Sequence, residues 1–429
     1  MTAETRPSAG VVGNGAGKTY TSALVVLTSL FFMWGLITSL NDILIPHLKA
    51  AFELTYVQVM LIQFCFFGAY FVTSLPWGVF VERAGYKTGI VVGLLIAAFG
   101  CVMFYPAAST RSYPFFLGAL FVLAAGITLL QVAANPYVAI LGPERTASSR
   151  LNLTQAFNSL GTTIGPYLGT HLILAASVAG GVAVAAEQAH VVQGPYLGLA
   201  ATLCVIAVVI GLVHLPKIEA PKPDASAGGL LEDGRSIWSY RPLALGAVAI
   251  FLYVGAEVSI GSVLVNFLEL PQIAGLTAVA AGALLSYYWG GAMVGRFIGS
   301  FVLRYVRPGT MLAFNALANV ALLAIAMIFA GRTAMWAVIA IGLFNSIMFP
   351  TIFTLAIEGL GKRTGEGSGV LCMAIVGGAI VPVAMGWMAD HAGLLYSLVL
   401  PLVCYLYIAY YGRKGHATVT DAVQVQSRA

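Results

Sequence analysis

The chain has 429 residues, of which 59% are apolar and only 9% are charged, whereas an ordinary soluble domain has about 25% charged residues. Single hydrophobic cores stop growing at about 250–300 residues, so this much apolar surface cannot be kept dry in water. The composition excludes a soluble globular protein and indicates lipid as the solvent. The formal net charge of +5 is spread over short clusters, so it does not indicate a nucleic-acid-binding face.

Apolar stretches of about 20 residues are typical of membrane-spanning helices, and the sequence contains twelve of them. The polar segment 1–19 before the first stretch has no signal-peptide pattern, so we expect the first span to act as its own insertion signal. The fold class is therefore an all-α membrane protein with twelve transmembrane helices. We place the spans at residues 20–46, 57–81, 88–107, 113–141, 152–177, 194–215, 241–268, 277–303, 309–330, 333–359, 367–389 and 393–412.

The basic residues predict how the spans are oriented. When successive loops are assigned alternately to two sides, one side has only Lys49, Arg111 and Arg332, and the other collects nearly all remaining basic residues of loops and tails. Cytoplasmic loops are enriched in Lys and Arg. The separation therefore predicts a multi-pass protein of the plasma membrane, the bacterial inner membrane, with both termini in the cytoplasm.

The longest polar interruption runs from Lys217 to Arg241 and separates six spans from six. Segments of the first half recur in the second, which is typical of transporters built from repeats. The matching pairs are Ala134-Asn135-Pro136 with Met348-Phe349-Pro350, and Gly161…Pro166 with Gly377…Pro382. We divide the chain into a cytoplasmic tail, two six-helix halves joined by a cytoplasmic linker, and a second cytoplasmic tail: residues 1–19, 20–216, 217–240, 241–412 and 413–429.

Two halves of this kind enclose a cavity at mid-membrane that rocking can expose alternately to each side. Prolines inside spans remove helix hydrogen bonds and loosen the backbone locally. A single intramembrane proline is ordinary, but the repeated pairs favour a role in gating. The predicted gating residues are the two matched prolines, three residues of the charged loop after span two and one arginine of span eight: Pro136, Pro350, Glu82, Arg83, Gly85 and Arg296.

Two acids, Asp42 and Glu257, lie inside the predicted spans, where charge is costly and indicates function. They occupy nearly corresponding places in the two halves. A carboxylate that faces a cavity can take up a proton at one face and release it at the other, so proton carriage is the favoured role of Asp42. For Glu257, proton carriage, metal-ion ligation and a structural role remain open.

Several uncharged amides also fall inside the spans, and such groups can replace the waters that a sugar hydroxyl loses. Each alone is typical of a contact between helices, but as a set they favour contact with a sugar, with an aromatic ring covering its apolar face. The predicted substrate-binding residues are Asn41, Gln63, Gln131, Asn135, Gln155, Asn158, Asn345 and Trp34. No His, Cys or Ser pattern indicates a metal centre or covalent catalysis, so we expect neither an enzyme nor a cofactor.

The sequence resembles the major facilitator superfamily, and within it the fucose–proton symporter family and its glucose/galactose transporter branch. The loop 78–87 is similar to the superfamily's loop between helices two and three. The more specific blocks are Asn41-Asp42, Gln131-Val132-Ala133-Ala134-Asn135-Pro136-Tyr137, Arg150-Leu151-Asn152-Leu153-Thr154-Gln155-Ala156-Phe157-Asn158-Ser159, Tyr253-Val254-Gly255-Ala256-Glu257-Val258 and Phe349-Pro350-Thr351-Ile352-Phe353.

This resemblance implies the major facilitator fold, with Asp42 as the proton-linked acid and Gln155 and Asn158 as sugar-contacting amides. The sequence departs from fucose transporters at two positions. It has Gln131 where they carry glutamate, and Glu257 where they carry glutamine, so glucose, galactose or a related hexose is expected rather than fucose. Some members of the branch are linked to sodium, and Na⁺ at Asp42 stays an alternative.

The sequence therefore predicts a secondary transporter that imports a hexose by cation symport and alternating access, with H⁺ favoured. Its partners are the sugar, H⁺ or Na⁺, and the lipid bilayer, and nucleic acid is not among them. The alternatives are a Na⁺-coupled hexose symporter, a fucose–proton symporter, a drug exporter, and a membrane receptor that transports nothing.

Overall fold

The structure, a computed structural model, describes residues 20–51, 56–110, 112–169, 193–213 and 236–416. All regular secondary structure within these ranges is helical. The side chains of Asn41, Asp42 and Gln63 lie outside the described residues, as do the predicted tail 1–19 and most of the predicted linker 217–240.

The first half of the chain supplies six helices, one for each of the first six predicted spans. They are α1 Thr21–Ala51, α2 Tyr56–Ala84, α3 Tyr86–Thr110, α4 Tyr113–Ile140, α5 Ala147–Gly169 and α6 Gln193–Leu212. Helix α5 begins five residues before the predicted span five, at a short 3₁₀ turn over Glu144–Thr146. Between α2 and α3, Gly85 has φ +86°, a conformation that other residues rarely adopt, and it lets the two helices follow each other without a longer loop.

The second half supplies the other six spans, three of which are interrupted. The helices are α7 Arg241–Glu269, α8 Ala278–Val302, α9 Pro308–Ile328, α10 Gly331–Asn345, α11 Met348–Ile357, α12 Thr364–Met373, α13 Gly377–Ala392, α14 Leu394–Ser397 and α15 Val399–Tyr410. Predicted span ten is α10 with α11, span eleven is α12 with α13, and span twelve is α14 with α15. A π-helical turn over Tyr411–Gly415 extends the last span beyond its predicted end.

Length and composition make eight of the described helical segments able to cross a membrane. These are Phe64–Ala84, Tyr86–Thr110, Tyr113–Ile140, Arg241–Glu269, Pro308–Ile328, Gly331–Ile357, Gly361–Ala392 and Leu394–Gly415. Helix α5 is not among them because it is rich in Ser, Thr, Asn and Gln. It packs between α1 of its own half and α8 and α11 of the other half, so its polar side chains meet protein rather than lipid.

The helices of each half pack in matching pairs, and the halves meet along two seams. Helix α1 packs on α5 as α7 packs on α13, and α2 packs on α4 as α8 packs on α10. Between the halves, α2 packs on α12, and α5 packs on α8 and α11. The second half thus repeats the helix pairings of the first, as an internal repeat requires.

Two matched glycines give the repeat its register. A Cβ built on Gly161 would lie 2.2 Å from the Phe32 carbonyl oxygen, and one built on Gly377 would lie 2.0 Å from the Phe251 carbonyl oxygen. Both glycines therefore let two helices touch at their backbones. Phe32 thus corresponds to Phe251, and Glu257 corresponds to residue 38 rather than to residue 42. The two membrane acids lie about one helical turn apart in the repeat.

Replacing Gly377 by Ala is expected to destabilise the protein by about 1–3 kcal/mol, because the added methyl group overlaps the backbone of α7. The matched control is Gly386→Ala on the same helix, where a Cβ would have nothing within 4 Å and helix propensity favours Ala. Thermal unfolding in detergent measures the difference. Equal unfolding temperatures for the two variants would contradict this packing.

Candidate functional site

The break in span ten exposes backbone carbonyls in the middle of the second half. Pro350 has no N–H group, so the carbonyl four residues earlier, that of Ser346, receives no helical hydrogen bond. Three successive carbonyls at the break accept hydrogen bonds from side chains of α9, α7 and α8 instead. These bonds are Asn315 Nδ2 to Phe344 O (3.1 Å), Tyr253 Oη to Asn345 O (3.2 Å) and Arg296 Nε to Ser346 O (3.1 Å).

Glu257 lies at the edge of a buried hydrogen-bond network that starts from this break. Tyr253, one turn earlier on α7, donates its hydroxyl to Glu257 Oε1 at 2.7 Å. Tyr288 donates to the Glu257 carbonyl oxygen at 3.4 Å. The Glu257 side chain is half-buried, whereas both tyrosines are fully buried. The carboxylate therefore has a fixed donor on one oxygen, and within the described ranges the Arg296 guanidinium of α8 acts on it electrostatically without a direct ion pair.

Asn345 ties this network together from the end of α10. Its Nδ2 donates to the Tyr288 hydroxyl at 2.9 Å, and its Oδ1 accepts from Asn319 Nδ2 at 2.8 Å and from the Tyr405 hydroxyl at 2.7 Å. Asn345 has no exposed surface. The side-chain oxygen Oδ1 already accepts two bonds. The residue is therefore positioned to hold α8, α9, α10 and α15 together rather than to bind a solute directly.

The network contains residues that the sequence prediction did not include as site residues. Besides the predicted Glu257 and Asn345, it contains Tyr253, Tyr288, Asn319 and Tyr405. One signal was available: Tyr253 and Glu257 are four residues apart and hence on one helix face. Asn319 and Tyr405 lie on other helices, and only tertiary contact brings them to Asn345.

Four of the predicted amides of the first half differ in their hydrogen bonding: two bond to neighbouring helices, and two are buried. Gln131 Nε2 donates to the Tyr70 hydroxyl at 2.7 Å, and Asn158 Nδ2 donates to the Phe31 carbonyl oxygen at 2.9 Å. Gln155 is buried on α5, and Asn135 is completely buried with neither amide atom hydrogen-bonded. An unpaired buried amide costs free energy. Asn135 is therefore the amide of this set whose hydrogen-bonding groups are free to bind a polar ligand.

Trp34 is not placed among these amides. Its ring lines an apolar pocket within the first half, enclosed by side chains of α1, α3, α4 and α6 that include Leu94, Ile127 and Leu203. The predicted sugar contact of Trp34 is therefore not favoured by its position. Helix α1 is apolar on most of its surface, so its sequence did not indicate which face the ring would take.

Arg150 fixes the turn that leads into the amide-bearing part of α5. The buried guanidinium donates to carbonyls at the end of α4 and in the following loop, and the last four carbonyls of a helix lack the usual donor four residues later. Its acceptors are Val138 O (3.2 Å), Ala139 O, Gly142 O (3.1 Å), Pro143 O (2.8 Å) and Thr146 Oγ1 (2.5 Å). The direction of α5, and with it the position of Gln155 and Asn158, depends on this arginine.

One side of the bundle is closed by contacts between the halves. We call it the basic side, because its helix ends and loops carry Arg83, Arg145, Arg304, Arg363 and Arg413. The contacts, which we call the basic-side seal, are hydrogen bonds of small polar groups. They are Ser148 Oγ with Thr354 Oγ1 (2.6 Å), Ser149 Oγ to Ser300 O (2.5 Å), Asn152 Nδ2 to Thr351 Oγ1 (3.4 Å) and Ser368 Oγ to Val132 O (2.9 Å).

The predicted gating loop lies beside this seal. A Cβ on Gly78 would come within 2.9 Å of the Gly365 carbonyl oxygen, so α2 and α12 touch just before Glu82 and Arg83, which are exposed. Lys87, the last residue of the loop 78–87, donates from Nζ to the carbonyl oxygens of Gly211 (2.8 Å) and Val213 (3.0 Å). The loop is thereby attached to the end of α6 as well.

The comparisons with known proteins agree with this architecture. Residues 26–381 match the model of the Major Facilitator Superfamily. The chain is 58% identical to a glucose/galactose transporter of Brucella abortus, over 93% of this chain and 95% of that protein. It is 34% identical to the L-fucose-proton symporter of Escherichia coli, over 95% of this chain and 96% of that protein.

A solved structure is similar over the same length. It is a transporter of the superfamily called FucP, in the outward conformation, with a TM-score of 0.83 and 34% identity, covering 94% of this chain and 100% of that one. The chain belongs to the major facilitator superfamily. It is a multi-pass membrane transporter and not an enzyme, as the sequence predicts.

Replacing Arg150 by Lys is expected to destabilise the protein by about 2 kcal/mol, because one ammonium group cannot satisfy the carbonyls that the guanidinium bonds. Arg145→Lys, in the same loop but exposed, is the matched control and should unfold at the temperature of the unchanged protein. Thermal unfolding in detergent is the measurement. The assignment is wrong if both variants unfold together.

Proposed function

We propose that this protein imports a hexose by cation symport, with H⁺ as the favoured ion and alternating access as the mechanism. The observation that carries the proposal is the position of Glu257, an acid in a membrane helix at the edge of a buried polar network. A charge in that place is costly, so an ionisable residue there indicates a function. The choice of a hexose is supported by the 58% identity to the glucose/galactose transporter of Brucella abortus.

Glu257 is suited to H⁺ more than to Na⁺. A proton needs only the carboxylate, whereas a hard cation such as Na⁺ needs several oxygen ligands around it. The amide oxygen of the network, Asn345 Oδ1, already accepts bonds from Asn319 and Tyr405. Protonation of Glu257 would neutralise its carboxylate and remove its electrostatic attraction to Arg296, and an uncharged side chain can change its surroundings at lower cost.

Asp42 is the second coupling acid of the proposal. The family resemblance implies its role, and Na⁺ at Asp42 is the principal alternative to H⁺. In the register of the repeat, residue 42 corresponds to Gly261 of α7, which lies about one helical turn from Glu257. The two acids would therefore act at different depths of one pathway rather than as equivalent sites.

The sugar is proposed to bind among the amides of the first half. Gln155 and Asn158 on α5 and Gln131 and Asn135 on α4 are the principal contacts, joined by Asn41 and Gln63 from α1 and α2. Asn135 has both of its amide atoms unpaired, which favours a role in binding polar groups. Asn345 is proposed to act indirectly, through Tyr288 and the position of α10.

The basic side is proposed to be cytoplasmic, with both tails, 1–19 and 413–429, and the linker 217–240 on that side. The protein would then be closed to the cytoplasm in this conformation and would load from outside the inner membrane. Opening requires the seams of α2 with α12 and of α5 with α8 and α11 to part. Glu82, Arg83 and Gly85 lie at the first seam and Arg296 at the second, while Pro136 and Pro350 loosen the helices next to them.

The deciding experiment is uptake by the purified protein in vesicles, with a panel of radiolabelled sugars under an imposed pH gradient or an imposed Na⁺ gradient. The proposal expects glucose or galactose to accumulate under the pH gradient. Accumulation under the Na⁺ gradient alone would make the protein a sodium symporter, and accumulation of fucose alone would make it a fucose symporter. Export of apolar drugs, or no transport of any solute, would exclude sugar import.

Glu257→Gln is expected to reduce sugar accumulation to equal concentrations inside and outside, because the amide cannot carry a proton. Exchange of sugar between the two sides should remain measurable, since the amide keeps the shape and the hydrogen bond of the site. Glu269→Gln, at the C-terminal end of α7, is the control and should accumulate sugar normally.

The same vesicle assay on Asp42→Asn separates the two acids. If both variants lose accumulation and keep exchange, both acids take part in coupling. Full accumulation by Glu257→Gln together with its loss in Asp42→Asn would assign coupling to Asp42 alone and would overturn the role proposed for Glu257.

A further inference from the structure

Pro136 leaves one carbonyl oxygen of α4 without a donor in its own helix, and a residue of the other half donates a hydrogen bond to it. Because proline has no N–H group, the Val132 carbonyl oxygen, four residues earlier, has no donor within its helix. Ser368 of α12 donates its hydroxyl to this oxygen at 2.9 Å. Ser368 is completely buried, so neither partner has bulk water as a substitute while the basic side is closed.

The matching proline of the repeat has the same consequence in the other half. Pro350 frees the Ser346 carbonyl oxygen, which accepts from Arg296 Nε at 3.1 Å. The same guanidinium donates from Nη1 to the Ser159 hydroxyl of α5, across the seam between the halves. Each repeated proline thus frees a carbonyl oxygen for a contact between the halves. At Pro136 the contact is one hydrogen bond from Ser368, and at Pro350 it runs through Arg296 to Ser159.

Side-chain atoms with no hydrogen-bond partner in the described part of the protein lie on the same segments as these carbonyls and in the basic-side seal. Asn135 precedes Pro136 and has two unpaired amide atoms, Asn152 has an unpaired Oδ1 within the basic-side seal, and Ser346 has an unpaired Oγ. Water would satisfy these atoms once the basic side opened, so they favour opening. A bond that exists only in the closed form must oppose them.

We propose that Ser368 is a positioning residue of the transport cycle. By donating to the carbonyl that Pro136 leaves free, its hydroxyl holds the two halves together on the basic side, and this bond breaks each time that side opens. The inference rests on the proposed alternating-access function, in which both halves must part there. It adds to that function a specific residue pair whose hydrogen bond sets the ratio of closed to open forms.

The first test is Ser368→Ala, measured by hydrogen–deuterium exchange of the full-length protein in lipid nanodiscs. Loss of one buried hydrogen bond shifts an equilibrium by about fivefold. Amides at the basic-side ends of α4 and α12 should therefore exchange about fivefold faster. Thr128→Val is the control: it removes a buried hydroxyl of α4 that donates to Ala124 O in its own helix at 2.8 Å, so exchange at those ends should stay unchanged.

The second test combines the variant with Pro136→Ala, which restores an N–H donor for the Val132 carbonyl oxygen. In that background Ser368→Ala should change the hydrogen–deuterium exchange rates by less than about twofold, because the Val132 carbonyl oxygen keeps a donor. An equal effect of Ser368→Ala with and without Pro136 would overturn the proposal, since the serine would then act only through packing. No effect of Ser368→Ala in the otherwise unchanged protein would overturn it as well.

These measurements do not depend on the transported solute. If vesicle uptake showed no sugar transport, the proposed function would fail, while exchange would still report whether Ser368 closes the basic side. If transport were present and exchange did not respond to Ser368→Ala, only the present inference would fail.

Discussion

A backbone carbonyl buried in a membrane must accept a hydrogen bond from the protein, because lipid tails offer no donor. Pro350 creates such a carbonyl at Ser346, and the break between α10 and α11 lies beside it. The carbonyl oxygens at the break accept hydrogen bonds from polar side chains of α7, α8 and α9, which therefore meet at one point of the second half. The network around Glu257 follows from this requirement, and so does the attachment of Arg296 to the seam between the halves.

The spans and the two halves could be predicted from the sequence because their signals are long and repeated. A run of about 20 apolar residues survives an error of several residues at its ends, and matched Gly and Pro positions fix which helices correspond. The breaks in spans ten and eleven could not be predicted. Pro136 lies within an unbroken α4 and Pro350 follows a break, and the difference depends on donors from other helices.

The candidate site was predictable in composition but not in arrangement. Glu257 and Asn345 were identified because polar groups are rare in apolar helices. The sequence did not show which groups remain available: Asn345 Oδ1 accepts from Asn319 and Tyr405, while the Asn135 amide has no hydrogen-bond partner among the described residues. Trp34 shows the same limit, because a helix that is apolar all round does not reveal which face meets its neighbours.

The basic-side seal is made of neutral groups: serine and threonine hydroxyls, an asparagine amide and backbone carbonyls. In the described ranges no ion pair joins the halves; the salt bridge Arg363–Glu366 lies within one of them. A transmembrane voltage does work only on charge that moves through it, about 2.3 kcal/mol per elementary charge for 100 mV. Parting this seal moves no charge of its own, so in the proposed cycle the membrane potential would act through the embedded acids, Arg296 and the coupling ion.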